Sequence, residues 1–177
     1  MNQIKAFFIR KAVKKQLRSE RNAQLPSLNS VKNLVVLIDN KQFAKLDDFK
    51  RFFDQKFPVT ECFFMVVRSK KAEQNITDGK VMLVGANDFS VFGKVKNEKL
   101  NDFITQKADL LLDLSSDSAL IGNFLLAFKN AGFKVGFRSD SDDPTDLLLK
   151  IPHKVDEQES LVVFWEYFLK LNGENHD

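Results

Sequence analysis

Val31-Lys-Asn-Leu-Val-Val-Leu-Ile-Asp39 is the stretch that decides the fold class. From Leu34 to Ile38 it is apolar without interruption, which suits a central strand of a parallel sheet covered on both faces rather than a half-exposed strand with alternating character. Downstream, Phe43, Leu46, Phe49, Phe53 and Phe57 recur at spacings of three and four, predicting a helix from about Lys41 to Phe57 that Pro58 ends. Glu61 to Val67 reads as a second strand. Arg68 to Lys80 is polar with no helical stripe, so a loop or poorly ordered crossover is expected there.

The alternation continues. Val81 to Gly85 is a third strand, followed by an irregular loop from Asn87 to Lys96 that carries Phe89, Val91 and Phe92. A helix is expected from about Asn97 to Gln106, with Leu100, Phe103 and Ile104 on one side, then a fourth strand from Asp109 to Leu114. Ser115 to Ser118 supply caps for a helix running to Ala131, with Gly132 as its C-terminal stop. Lys134 to Arg138 is the fifth strand, Asp140 to Pro144 a turn, Asp146 to Ile151 a short sixth strand, and Glu157 to Leu171 the last helix. That helix turns Leu161, Val162, Phe164, Trp165, Phe168, Leu169 and Leu171 to one broad side, which makes Trp165 a core residue rather than a ligand platform. This order predicts an α/β three-layer sandwich with a mainly parallel, Rossmann-like sheet of five to six strands. The expected organisation is a basic helix over 1–22, a connector over 23–30, one α/β domain over 31–172 and a disordered tail over 173–177.

With 177 residues, 44% hydrophobic and 29% charged, the chain suits a single domain that needs no disulfide or structural metal. No apolar run approaches the ~20 residues of a membrane span, and the charged start excludes a signal-peptide core. A cytoplasmic protein is expected. Cys62, alone and inside an apolar strand, reads as a small buried hydrophobe. Most of the 18 Phe residues fall at core positions of the expected elements.

Charge is distributed unevenly. Residues 1–22 hold Lys5, Arg10, Lys11, Lys14, Lys15, Arg18 and Arg21 against Glu20 alone, a net of +6, which leaves −3 for the remainder of a chain whose total is +3. Wound at 100° per residue, Ala6, Phe8, Ile9, Ala12, Val13 and Leu17 share one half of the circumference and the cations the other. Lys5 intrudes on the apolar half, Ile4 and Phe7 on the basic one, and Asn22 closes the helix. Three roles follow for this segment. Its apolar side packs on the domain or on a second copy, leaving the Lys and Arg merely solvated; or it lies on anionic lipid, as Phe7, Phe8 and Ile9 beside cations suggest; or it binds RNA or the ribosome, as cation density without an interfacial Trp suggests. Arg10, Lys11, Lys14, Lys15, Arg18 and Arg21 are the expected anion-contacting residues, and Phe8, Ile9, Val13 and Leu17 the apolar docking face.

Chemistry of other kinds finds little purchase. The seven glycines contain no Gly-x-Gly pair and no Gly-Lys-Ser/Thr, so neither a dinucleotide fingerprint nor a P-loop is expected. His153 and His176 have no evident fixed partner, no His or Cys set has zinc-ligand spacing, and no Gly-x-Ser-x-Gly turn occurs. No catalytic residue, metal or cofactor is assigned, and no DNA-binding motif is seen. Open parallel sheets bind ligands beyond the carboxyl ends of their strands. There the sequence places Asp39, Arg68, Asp113, Ser116 and Arg138, a rim able to hold a polar small molecule.

The start Lys5-Ala-Phe-Phe-Ile-Arg-Lys-Ala-Val-Lys-Lys-Gln16, the strand ending Leu37-Ile-Asp39, Phe89-Ser-Val-Phe-Gly93, Asp109-Leu-Leu-Leu-Asp-Leu114 and Phe133-Lys-Val-Gly-Phe137 together resemble a bacterial family of short proteins of unknown function, across nearly the whole chain. That likeness implies a bacterial cytoplasmic protein and carries no activity. Asp109 to Phe137 is also similar to part of the N-terminal half of heptosyltransferase-type glycosyltransferases, which implies the sheet topology; the glycine-containing loop of that family is absent after Leu37-Ile38-Asp39-Asn40. The expectation is a non-enzymatic α/β adaptor whose basic helix docks on RNA, the ribosome or the inner membrane surface. A protein partner or homodimer is a further expectation. The alternative is a small carboxylate-dependent or glycosyltransferase-like enzyme at the strand-end rim, using Asp39, Asp113 and Arg138.

Overall fold

A computed structural model describes residues 1–19, 21–57, 60–68, 79–115, 120–137, 144–149 and 157–173. The elements are α1 (Gln3–Leu17), β1 (Asn33–Asp39), α2 (Leu46–Lys56), β2 (Glu61–Val67), β3 (Val81–Val84), α3 (Glu98–Thr105), β4 (Ala108–Asp113), α4 (Leu120–Phe128), β5 (Ala131–Gly136), β6 (Leu147–Leu148) and α5 (Glu157–Leu171). The six strands form one sheet in the order β3-β2-β1-β4-β5-β6, and every pairing is parallel. This is the α/β, Rossmann-like architecture expected from the sequence, and strand order reverses between β1 and β4.

β1 earns its central place through composition. Leu34 to Ile38 are all buried, in register with β2 on one side (Leu37 opposite Met65) and β4 on the other (Leu37 opposite Asp113). Alternate residues feed two apolar layers. Val36 and Ile38 pack with Phe49 and Phe53 of α2 and Phe164 and Phe168 of α5. Val35 and Leu37 pack with Leu100 and Ile104 of α3, Phe124 and Leu125 of α4, and Ile9 and Val13 of α1. Six of the phenylalanines, Phe49, Phe53, Phe64, Phe89, Phe164 and Phe168, are fully buried, each stabilising the fold by roughly 1.5–3 kcal/mol relative to exposure. Trp165 is half-buried against this core, edge-on to Phe57 at 5.3 Å. Burial pushes the Cys62 thiol up to about 12, so it packs as a neutral side chain.

Several boundaries differ from the sequence reading. α1 stops at Leu17, not near Asn22, because Arg18 and Ser19 donate back to the Lys15 and Gln16 carbonyls in a tightened last turn. The expected helix from Lys41 opens as a 3-10 turn over Gln42–Lys45. α4 ends at Phe128, and Gly132 is a residue of β5 rather than a helix stop. A β-carbon on Gly132 would lie 3.0 Å from the Asp109 carbonyl oxygen, so close approach of β5 to β4 explains this glycine. β5 is accordingly Ala131–Gly136 instead of Lys134 to Arg138, and β6 is only Leu147–Leu148. The loop expected over 69–78, most of the turn over 140–144, His153, and the tail from 174 onward lie outside the described residues.

Candidate functional site

α1 is seated on the body. Ile9 is fully buried and Val13 nearly so, in the layer shared with β1, β4, α3 and α4, and the helix lies along α4. Phe8 and Leu17 are half-buried at its flanks. Of the apolar face Phe8, Ile9, Val13 and Leu17, the two central members are thus occupied by the domain itself. Asn2 caps the helix, its Oδ1 accepting from the Ile4 amide at 3.1 Å.

Two side chains tie α1 down. Lys5, which disturbs the apolar half of the helical wheel, donates its Nζ to the carbonyls of Ala86 at 2.9 Å and Phe89 at 2.8 Å. Arg21 forms an ion pair with Asp146 at 3.0 Å and donates to the Ala131 carbonyl. Arg21, its side chain still 30% exposed, is therefore held against the body by Asp146 and Ala131. Between these ties sits the loop of Phe89 to Gly93. Phe89 is buried against Phe124 at 4.9 Å between ring centroids, and an isolated bridge pairs it with Val95. Ser90 and Gly93 close a tight turn through Ser90 N–H to Lys94 O at 2.7 Å and Gly93 N–H to Ser90 O at 3.1 Å. Gly93 has φ +74°, and its α-carbon faces the α1 backbone so closely that a β-carbon would lie 3.0 Å from Ile9 N and 3.2 Å from Phe8 C.

What remains outward on α1 is informative. Arg10, Lys11, Lys14, Lys15 and Arg18 are all exposed. So are Ile4 and Phe7, and across the turn Val91 and Phe92, the last at 67%. Phe8 sits between Phe7 and Phe92, edge-on to each at 5.6 and 5.5 Å.

The strand-end rim is organised differently. Asp39 and Asp113 end β1 and β4, flank the reversal of strand order, and are both buried. Asp39 Oδ1 accepts from the amides of Lys41 at 2.8 Å and Gln42 at 3.2 Å; Asp113 Oδ1 accepts from Ser115 N at 3.0 Å and Oγ at 2.6 Å. Gln42 bridges the two strand ends, accepting from Asp39 N at 3.0 Å and donating to Leu114 O at 2.6 Å. Both carboxylates shape the turns that follow their strands. Arg68 follows β2 and leans over Gly85, its Nε 3.9 Å from where a β-carbon would stand. Ser116 and Arg138 lie outside the described residues, so the rim is assembled here only as Asp39, Arg68 and Asp113.

Two buried lysines escaped the sequence reading. Lys129 Nζ donates to the Phe103 carbonyl at 2.7 Å and to Gln106 O, closing the end of α3; Lys134 Nζ donates to Leu126 O and to Ala127 O at 3.3 Å, closing the end of α4. Desolvation lowers Lys129 to about 8. It lowers Lys134 to about 7, with Arg21 adding to the effect and Asp146 opposing it. Lys134, Arg21, Asp146, Gln16 and Thr145 border a cleft of about 290 Å³ at the end of α1. Only contacts between elements reveal these roles, because a Lys in the sequence carries no local signal of burial.

Among the described residues no group of three or more His, Cys, Asp or Glu could hold a metal ion, and no helix is long and apolar enough to cross a membrane. A family model described as a family of unknown function (DUF6913) matches residues 5–168, and the chain belongs to that family. No curated protein and no solved structure matches the chain significantly.

Proposed function

We propose that this member of the family is a non-enzymatic α/β adaptor that docks on an anionic partner through the outward face of α1, where Arg10, Lys11, Lys14, Lys15 and Arg18 supply the attraction. One observation carries the reading: the apolar side of α1 is occupied by its own domain while these five cations stay exposed on a helix held in place. A helix kept only for packing needs no such concentration of like charge, which repels itself along one surface at spacings of three and four. Fixed on the body, the cations form a preset electrostatic surface, and no backbone ordering cost attaches to their use. RNA, the ribosome and the inner face of a membrane are the anionic partners of this kind, and a protein serving any of them works in the cytoplasm or peripheral to the inner membrane.

The rim reading, a carboxylate-dependent or glycosyltransferase-like enzyme, draws less support, since Asp39 and Asp113 each spend an oxygen on the turn after their strand. The test is co-sedimentation of the full chain with ribosomes and with anionic vesicles at low and high salt. Wild type is expected to pellet with at least one of them at low salt and to be released as salt rises. The variant Lys11→Glu/Lys15→Glu/Arg18→Glu should fold as wild type does, because all three side chains are exposed, and stay in the supernatant. A wild-type chain that binds neither, or a variant that binds equally well, refutes the proposal.

A further inference from the structure

Ile4, Phe7, Lys11, Lys14, Lys15 and Arg18 follow one another at steps of three and four, apart from the adjacent Lys14 and Lys15, so they share a single stripe of α1. All of them are exposed, and the stripe lies opposite buried Ile9 and Val13. The outward face is therefore graded along its length, apolar in the first turns and cationic in the later ones. Ile4 and Phe7 look like errors in an amphipathic pattern only while the helix is considered alone. Seated on the body, they are the apolar end of the outward surface.

The turn beside α1 extends that apolar end. Its residues divide sharply: Phe89 is fully buried, while Val91 and Phe92, two and three positions later, are 51% and 67% exposed. Three hydrogen bonds set this outward projection, Ser90 N to Lys94 O, Gly93 N to Ser90 O and Lys94 N to Ser90 Oγ. Phe92 reaches the α1 side through Phe8, which also meets Phe7, so the turn tip and the helix start are joined; exposed Ile4 lies one helical turn before Phe7, and exposed Val91 is next to Phe92 in sequence. A contiguous exposed apolar cluster on a folded domain marks an interaction site.

From these observations we infer that the occupant of this surface is an anionic lipid bilayer, with the Ile4, Phe7, Val91 and Phe92 cluster entering the headgroup and acyl boundary while Lys11, Lys14, Lys15 and Arg18 pair with lipid phosphates. This inference rests on the docking proposed above and names its partner. Charge complementarity selects an anionic surface, and the apolar cluster selects one with hydrocarbon beneath the charge. RNA offers phosphate and flat bases, and bases are bound by stacking on free aromatic faces. Here Ile4 and Val91 have no such face and make up half of the exposed apolar residues of the cluster, while Phe7 and Phe92 each meet the intervening Phe8 edge-on. What the cluster offers is convex apolar bulk, matched to a soft apolar layer.

The experiment uses the full chain with vesicles of phosphatidylcholine alone, vesicles doped with phosphatidylglycerol, and a single-stranded RNA homopolymer. Wild type should bind the doped vesicles and not the neutral ones. Phe7→Ser/Phe92→Ser, whose altered side chains are exposed and so leave the fold intact, should bind the doped vesicles about tenfold or more weakly. As a second readout, Phe92→Trp in a Trp165→Phe background should shift its emission to the blue on the doped vesicles only. Unchanged vesicle binding by the Ser variant or no blue shift overturns insertion of the apolar cluster, and with it the inference, and wild-type binding to RNA without vesicle binding overturns the bilayer as occupant; each leaves the cationic docking face in place. Failure of wild type on all three surfaces and on ribosomes, or full binding by the Lys11→Glu/Lys15→Glu/Arg18→Glu variant, removes the docking proposal itself. A wild-type dimer that the Ser variant dissociates assigns the cluster to a second copy and also overturns the bilayer.

Discussion

Replacing Gly93 by alanine tests whether α1 truly rests on the Phe89 to Gly93 turn. Two separate penalties apply. At φ +74° an L-residue with a β-carbon sits in the left-handed region, at roughly 1–2 kcal/mol. The new methyl would also lie 3.0 Å from Ile9 N and 3.2 Å from both Ile9 Cγ1 and Phe8 C, two of them backbone atoms of a helix that cannot yield without lifting from α4. Forcing an extra carbon into packed surroundings typically costs about 1–3 kcal/mol. The sum is roughly 2–5 kcal/mol, a fall in Tm of about 4–20 °C for a chain of this size. Urea unfolding followed by far-UV circular dichroism reads the loss, and Gly93→Asn separates the terms, because Asn tolerates the left-handed region yet carries the same β-carbon. The expectation is that Asn recovers part of the loss and remains clearly destabilised. If Gly93→Asn is as stable as wild type, no backbone lies against that position and the seated helix is wrong.

Other expectations follow from the same geometry. Lys134 is lowered to about 7 by burial while the unfolded chain keeps it near 10.4, so the unfolded state binds the extra proton between those values and stability rises as pH climbs through that window, by up to about 1.4 kcal/mol per pH unit. Lys129, lowered to about 8, adds to the slope in the upper part of the window, so Lys134→Met should reduce the slope of the stability-pH curve measured by urea midpoints, most clearly between about pH 7 and 8; an unchanged slope there contradicts the burial of the Lys134 ammonium. Arg21→Met strips Asp146 of its cation and Ala131 O of a donor, at about 1–2 kcal/mol in chemical denaturation, whereas Arg18→Met, on an exposed side chain, should alter stability by less than about 0.5 kcal/mol. Equal effects from the two would mean that Arg21 is as solvated as its neighbour. Lys5→Met should cost about 1 kcal/mol by freeing the Ala86 and Phe89 carbonyls, and a neutral result would detach the start of α1 from the turn.

The body of the fold was legible because its strands are buried on both faces. Continuous apolar runs gave Glu61–Val67 to the residue and the end of β1 at Asp39, and the broad apolar side of α5 fixed Glu157–Leu171. Errors arose where a local rule met a distant partner. Gly132 resembled a helix stop, yet it belongs to a strand pressed on Asp109, and α4 is closed instead by Lys134 reaching back from β5. Lys5 read as an intrusion because its acceptors lie more than eighty residues away. The five outward cations of α1 were visible from periodicity. That Arg21 is held by Asp146 and Ala131, and that Phe8 meets Phe92, required tertiary contacts, for which a helical wheel has no term.

All of this depends on α1 being held against α4 with its cations outward, and residue-resolved hydrogen exchange of the full chain measures that directly. Amides from Ile9 to Val13 should exchange on the slow scale of β1 and β4, since opening them exposes Ile9 and the layer beneath it. Exchange of those amides at free-chain rates, while β1 and β4 stay protected, would show a detached helix and contradict the account.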